Sequence, residues 1–314
     1  MKLKEIYNLA IQMGIEADFR SREGIEKDLL RLKERYERMS SEEKEEFDQE
    51  RLTNPFSDSR ILFGDPDKEI KKILAGIDIE GTELLLAREL GIDLVFSHHP
   101  EGKALAGLDD VMHLQVDLLA QCGVPINIAE KLLKKRISEV SRGLSPTNHN
   151  RIVDLARLLN IPLMCAHTPC DNLVARFVEQ KLKKDNPLFL ADVMKCLKEI
   201  PEYKEAVKIG AGPKIFVGDE DNHTGKIVLT EITGGTEGAP EIYEKLAQAG
   251  AGTIIGMHIS EKHREEAEKA NVNVVIAGHI SSDSLGVNLF LDELEKRGIE
   301  IVSCGGLMRV KRIS

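Results

Sequence analysis

Residues 71–102 read KKILAGIDIEGTELLLARELGIDLVFSHHPEG, and the rhythm of this stretch decides the fold. KKILAGIDI (71–79) is a short apolar run of strand length that stops before a glycine. TELLLAREL (82–90) carries its leucines at helical spacing, and IDLVFS (92–97) is a second apolar run. A strand, a helix and a strand in so few residues form a βαβ unit, which sets its two strands parallel. The runs are apolar at successive positions rather than alternate ones, as expected for strands covered on both faces.

The alternation continues toward the C-terminus. DVMHLQVDLLAQ (110–121) and HNRIVDLARLLN (149–160) read as helices, and IPLMCA (161–166) as a strand. A helical stretch past Lys184 is punctuated by Pro187 and Pro201. The pattern then resumes with the strands KIFVG (214–218) and KIVLTEI (226–232), the helix PEIYEKLAQAG (240–250) and the strand GTIIG (252–256). It closes with the helix SEKHREEAEKA (260–270), the strand VNVVIA (272–277), the helix LGVNLFLDELEKRG (285–298) and the strand IEIVS (299–303). The expected fold is α/β: two lobes with largely parallel sheets covered by helices. Toward the N-terminus, residues 1–53 read as two helices, the second with a narrow stripe of Ile25, Leu29, Leu32, Tyr36 and Met39. The stripe suits either a partner helix or the chain's own body. The division expected is a helical extension (1–65), a first α/β lobe (66–210) and a second (211–314).

Composition narrows the function. A net charge of −10 disfavours a polyanionic partner unless a local basic stripe overrides it. The basic clusters Lys131 to Arg136 and Lys181 to Lys184 lack interleaved aromatics and read as solvated helix faces, so nucleic acid is not expected. The five cysteines are odd in number and form no CxxC pair, which suits reduced thiols in a cytoplasm. The start MKLKEIYNLA runs straight into charge, unlike a signal peptide, and no window approaches a membrane span.

The chemistry-bearing residues stand just past strand ends, where open α/β sheets place their ligands. IDLVFS runs into His98-His99-Pro100-Glu101-Gly102, and IPLMCA into His167-Thr168-Pro169-Cys170-Asp171. VNVVIA runs into Gly278-His279-Ile280-Ser281-Ser282-Asp283, and GTIIG into Met257-His258. One histidine after a strand is usually a capped or solvated residue. Adjacent His98 and His99 serve one site only if the strand ends there, and Pro100 and Gly102 supply that ending. Imidazoles and carboxylates converging from three strand ends form the mixed N/O set that suits Zn, Mn, Fe or Ni rather than Ca or Mg.

In this order the motifs resemble the Nif-three-like dinuclear-metal proteins, some known as type-two GTP cyclohydrolase homologues. The family pattern of HHP, HTxxD, a Gly-rich turn, GE and GHxxTE is matched by His98-His99-Pro100, His167 to Asp171, Gly234 to Gly238, Met257-His258 and Gly278 to Asp283. The match covers roughly residues 70 to 180 and 210 to 314. The resemblance implies His98, His99, Asp171, His279 and Asp283 as ligands of two divalent ions, in a cleft between lobes. It also implies homo-oligomers, often hexameric rings. Two departures stand out: Asp283 replaces the family's final Glu, and His258 appears where the other Glu is lost. The expectation is that the shorter Asp283 binds one ion and His258 makes up the coordination.

Two divalent ions against two carboxylates leave the site at about +2, which draws an anion and acidifies a bridging water. Hydroxide bridging two such ions is the usual nucleophile of binuclear hydrolases, so the expected function is metal-dependent hydrolysis of a small anionic, phosphate-bearing or nucleotide-like substrate. His167 and His258 are the candidate proton-transfer groups. The Gly234 to Gly238 turn is a candidate phosphate cradle. A ring-forming scaffold with structural metals and a metal-delivery protein are the alternatives, and an open coordination position separates them from an enzyme.

Overall fold

Every apolar run named above becomes a strand in the computed structural model, which describes residues 1–313. Nine strands are present among them: β1 (Ser59–Phe63), β2 (Lys72–Gly76), β3 (Leu94–Ser97), β4 (Leu163–Ala166), β5 (Lys214–Val217), β6 (Lys226–Glu231), β7 (Ala251–Gly256), β8 (Asn273–Ile276) and β9 (Glu300–Cys304). They form a five-stranded sheet, ordered β1-β4-β3-β2-β9, and a four-stranded sheet, ordered β5-β8-β7-β6. All neighbouring strands are parallel except β1 with β4 and β5 with β8, so each sheet carries an antiparallel edge. Helices cover them, and none is long and apolar enough to cross a membrane.

Two strands depart from the sequence reading. The segment SRILF (59–63) showed no apolar run, because Ser59 and Arg60 interrupt it, yet it pairs antiparallel with β4 from Ser59↔Ala166 onward. The buried Arg60 donates through its two terminal nitrogens to the Phe56 and Ser59 carbonyls and to Asp48. The terminal strand β9, which follows the second run of alternation, pairs parallel with β2 and so completes the first sheet. The reason is the helix His279–Glu295, whose 17 residues span about 25 Å and carry the chain from the end of β8 back across to β2.

That helix is central to packing. Val287, Phe290, Leu291 and Leu294 are fully buried against Phe96 of β3, with the Phe96 and Phe290 rings 5.5 Å apart. The N-terminal helix Leu3–Ala17 enters the same core, with Leu3 and Ile6 at 0% exposure, so its first turns are part of the first layer. Burying each such side chain is worth about 1.5–3 kcal/mol. The second helix, Arg22–Glu37, stands further out: of its stripe only Ile25 is fully buried, and Tyr36 stacks on Phe47. Residues 41–52 add a short helix and a 3-10 turn that the sequence reading had merged into two helices.

Close contact between two helices sets up the site. Helix Thr168–Asp185 and helix His279–Glu295 cross so tightly at Gly286 that an added Cβ would lie 2.8 Å from Val174 Cγ2. Glycine is the residue that permits this approach. The crossing brings Asp171 and Asp283, one from each helix, in front of the end of β3.

Candidate metal centre

Each side chain at the centre is placed by a strand ending. Past β3, the His98 and His99 amides still bond to the Gly76 and Ile77 carbonyls, so both residues remain tied to β2. Pro100 cannot continue the ladder, and both imidazoles turn into one space. Past β4, His167 caps the helix Thr168–Asp185, and Asp171 follows in its first turn, where the helix dipole favours a negative charge. Past β8, Gly278 takes φ 108° and starts the helix on which His279 and Asp283 stand one turn apart.

The distances are informative. His98 Nε2 lies 3.4 Å from Asp171 Oδ1 and 3.5 Å from Asp283 Oδ1. The other Asp283 oxygen lies 3.4 Å from His99 Nε2 and 3.5 Å from His279 Nε2. His167 Nε2 is 3.6 Å from Asp171 Oδ2. These separations are long for hydrogen bonds, and His98 Nε2, Asp171 Oδ1 and both Asp283 oxygens are buried without a partner. Leaving a buried polar atom unpaired costs about 1–3 kcal/mol, and more when it is charged. Two ligand atoms about 2.1 Å from one tetrahedral ion stand about 3.4 Å apart, so the spacing fits a cation shared between them. Among the described residues, three groups could hold a metal ion: His98 with Asp171 and Asp283, His99 with His279 and Asp283, and His98 with His99 and His167.

Hydrogen bonds behind the ring fix the tautomers. His98 Nδ1 faces the Ala166 carbonyl at 3.3 Å, which can only accept, so that nitrogen carries the proton and Nε2 offers its lone pair inward. Asp78 holds His99 Nδ1 at 2.6 Å, and Asp58 holds His167 Nδ1 at 2.9 Å. Asp58 is fully buried and also accepts from the Thr168 amide and hydroxyl. Carboxylates that grip the far nitrogen of an imidazole orient it toward a metal.

Without an ion, the groups titrate against one another. Burial pushes His98 downward, but the Asp283 and Asp171 carboxylates outweigh it and raise His98 well above the usual imidazole range. Burial pushes Asp283 upward, yet His98, His99 and His279 hold it far below the usual carboxylate range. Burial lowers His279.

His258 is placed differently from expectation. Its Nδ1 faces Glu237 at 3.3 Å, and it belongs to none of the three ligand-capable groups, although its ring meets that of His279 at 5.2 Å. Asp283 belongs both to the group with His98 and Asp171 and to the group with His99 and His279, whereas His258 belongs to neither, unlike the compensation expected from the sequence. The shorter Asp283 reaches because the Gly286 crossing brings its helix close. His167, expected as a proton carrier, sits within a ligand-capable group instead of behind it.

The Gly-rich segment closes the opposite wall. Gly234 and Gly235 take φ 92° and 89°, and Gln115 donates to the Gly234 and Thr236 carbonyls. The Gly238 amide, expected as part of an anion cradle, donates to Glu231 Oε2 at 3.3 Å. The cleft between this wall and the imidazoles encloses about 30 Å³ and is lined by Glu231, Thr233, His258, His279, Asp171 and Asp283 among others. Glu101, just past His99 and Pro100, is half-buried, and that burial pushes its carboxyl up to about 7. Sequence reasoning missed Asp58, Asp78 and Glu231. Asp78 and Glu231 stand at strand ends just as His98 does, and the same rule would have found them.

Comparison with solved structures bears on the fold. The chain is similar to a NIF3 superfamily protein from Sphaerobacter thermophilus, at 28% identity and a TM-score of 0.68, over 80% of this chain and 92% of that one. It shares the fold of reduced HcgD from Methanocaldococcus jannaschii, at 18% identity and a TM-score of 0.52, over 83% and 94% of the two chains. No protein-family model and no curated protein matches the sequence. The resemblance read from the motifs is thus supported by a solved structure of the superfamily, and the chain is NIF3-like.

Proposed function

We propose that this NIF3-like chain binds two divalent transition-metal ions and hydrolyses a small anionic substrate at them. The observation that carries the proposal is the set of buried, partnerless acceptor atoms on His98, Asp171 and Asp283, which converge within 3.5 Å of His98 Nε2 beside a cleft that both carboxylates line. In this reading His98, Asp171 and Asp283 hold one ion, and His99, His279 and Asp283 hold the other. Zn, Mn, Fe and Ni suit such a nitrogen and carboxylate set. When bound, the pair supplies Lewis acidity and draws the pKa of water toward neutrality.

The chain's own residues do the rest. Ala166 and Asp78 keep the protons of His98 and His99 on Nδ1, so both Nε2 atoms stay available to the site. Asp58 does the same for His167, whose Nε2 can take or return a proton at the cleft wall. His258, tied to Glu237, is the second proton-transfer candidate, on the opposite wall. A cytoplasmic location, read from the unpaired cysteines, and a homo-oligomeric, hexameric ring, carried over from the resemblance, complete the reading.

The test is hydrolysis of phosphate monoesters, phosphodiesters and cyclic amides by the metal-loaded protein, by protein stripped with a chelator, and by the stripped protein reloaded. Activity that disappears and returns with the metal supports the proposal. Loaded protein inert to every substrate class contradicts it. Light scattering checks the ring: a particle several times 35.0 kDa is expected, and a monomer at micromolar concentration refutes it.

A further inference from the structure

Glu231 ends β6 on the wall of the cleft that faces the imidazoles. Its side chain is 7% exposed, and the two carboxyl oxygens differ. Oε2 accepts the Gly238 amide, whereas Oε1 is buried with no partner. Anchoring the Gly-rich loop needs only the first oxygen. The second is left without a partner on a residue that lines the cleft together with Asp171, His279 and Asp283. Around it the second sheet supplies a distinct set of groups: His258 tied to Glu237, and Glu237 tied in turn to the Ser260 amide. None of these belongs to a ligand-capable group. Among the described residues, the ligand-capable groups of the cleft all lie on the wall of imidazoles and aspartates.

We infer that Glu231 is the proton donor to the leaving group of a substrate held on the metal-facing wall. The inference rests on the hydrolytic reading above and adds the group that finishes the reaction. Burial pushes the carboxyl up to about 7, so near neutral pH it is protonated in a large share of molecules. A water adds to the electrophilic centre as the bond to the leaving oxygen or nitrogen breaks. Glu231 gives its proton to that atom, and the proton shed by the attacking water restores the acid. Only water is consumed. The substrate class that gains most is an ester or amide whose leaving group is too basic to depart unprotonated, such as an alkyl or aryl phosphate rather than an anhydride.

The experiment compares zinc-loaded wild type with Glu231→Gln, which keeps the shape and can still meet the Gly238 amide through its carbonyl. Phenylphosphonate, a non-hydrolysable anion, is titrated calorimetrically at pH 8 in buffers of different ionisation heat. Wild type is expected to take up between about one half and one proton more than the variant, because an anion beside Glu231 draws a proton onto it. Equal proton uptake overturns the inference. With phenyl phosphate, whose leaving group is basic, the variant should lose about 100-fold in rate, against about tenfold or less with p-nitrophenyl phosphate. A loss of equal size on both esters points to mere loop anchoring and also overturns it. Glu231→Asp, which keeps an acid, should regain part of the proton uptake. Wild type that binds zinc but cleaves neither ester, nor any phosphodiester or cyclic amide, refutes the hydrolytic reading and the donor role together, whereas an active wild type with equal losses refutes the donor role alone.

Discussion

Gly286→Ala perturbs the centre without touching any proposed ligand. A Cβ at this position would sit 2.8 Å from Val174 Cγ2 and 2.9 Å from the Cys170 carbonyl carbon, with the carbonyl oxygen closer still. Ordinary contact begins at 3.4 Å, so the two helices must part by at least about 0.5 Å. Backbone on one side and a buried valine on the other leave no flexible side-chain end to yield. Asp171 is the residue next to Cys170, and Asp283 lies three residues before Gly286. The displacement therefore passes directly into the separation between the two carboxylates. Metal–ligand distances tolerate only about 0.2 Å, so at least one ion should be lost. Overpacking costs about 1–3 kcal/mol, and at roughly 1.5 °C per kcal/mol for a chain this long the melting temperature should fall by about 1.5–5 °C. Elemental analysis and calorimetry of the folded variant give both values. Full metal content with an unchanged melting temperature would show that the crossing does not position the carboxylates.

Asp58→Asn removes the charge behind His167 and should lower the rate of the metal-loaded protein about 10- to 100-fold, read by initial rates on the hydrolysed substrate; an unchanged rate would mean that His167 carries no proton at the cleft. His258→Ala should retain wild-type metal content, since His258 pairs with Glu237 rather than with the ligand-capable groups, and loss of one ion would restore the compensation idea. In metal-free protein, Glu231 titrates at about 7 when folded against 4.5 for the ordinary group, so the folded state holds a proton that the unfolded chain has released. Its contribution to stability is full below about pH 4.5 and falls by about 3 kcal/mol as pH rises to about 7. Urea unfolding of Glu231→Gln at pH 5 and pH 8 should lack that decline, and an identical pH slope in the two proteins would contradict the assignment.

Much of this was legible in the sequence for a physical reason. A buried parallel strand must be apolar on both faces, so β2, β3, β4 and β8 announce themselves as runs, and their ends locate His98, His167 and His279 without further information. Strand β1 was not legible, because its Ser59 and Arg60 are buried through hydrogen bonds and ion pairs rather than through apolar surface. With β1 hidden, Asp58 immediately before it could not be recognised as the partner of His167. The path of β9 back to the first sheet depends on where a long helix delivers the chain, which local pattern does not encode. Asp283 was judged by side-chain length alone, whereas its reach is set by a helix approach that depends on a glycine three residues further on.

The central claim is that Asp283 is shared between two ions while Asp171 serves one. Elemental analysis of protein purified without chelating resins tests it on three samples: wild type, Asp171→Asn and Asp283→Asn. The expected result is close to two transition-metal ions per folded chain in wild type, close to one in Asp171→Asn and nearly none in Asp283→Asn. Folded wild type that carries no metal, even after loading, or Asp283→Asn that still carries two ions, would contradict it.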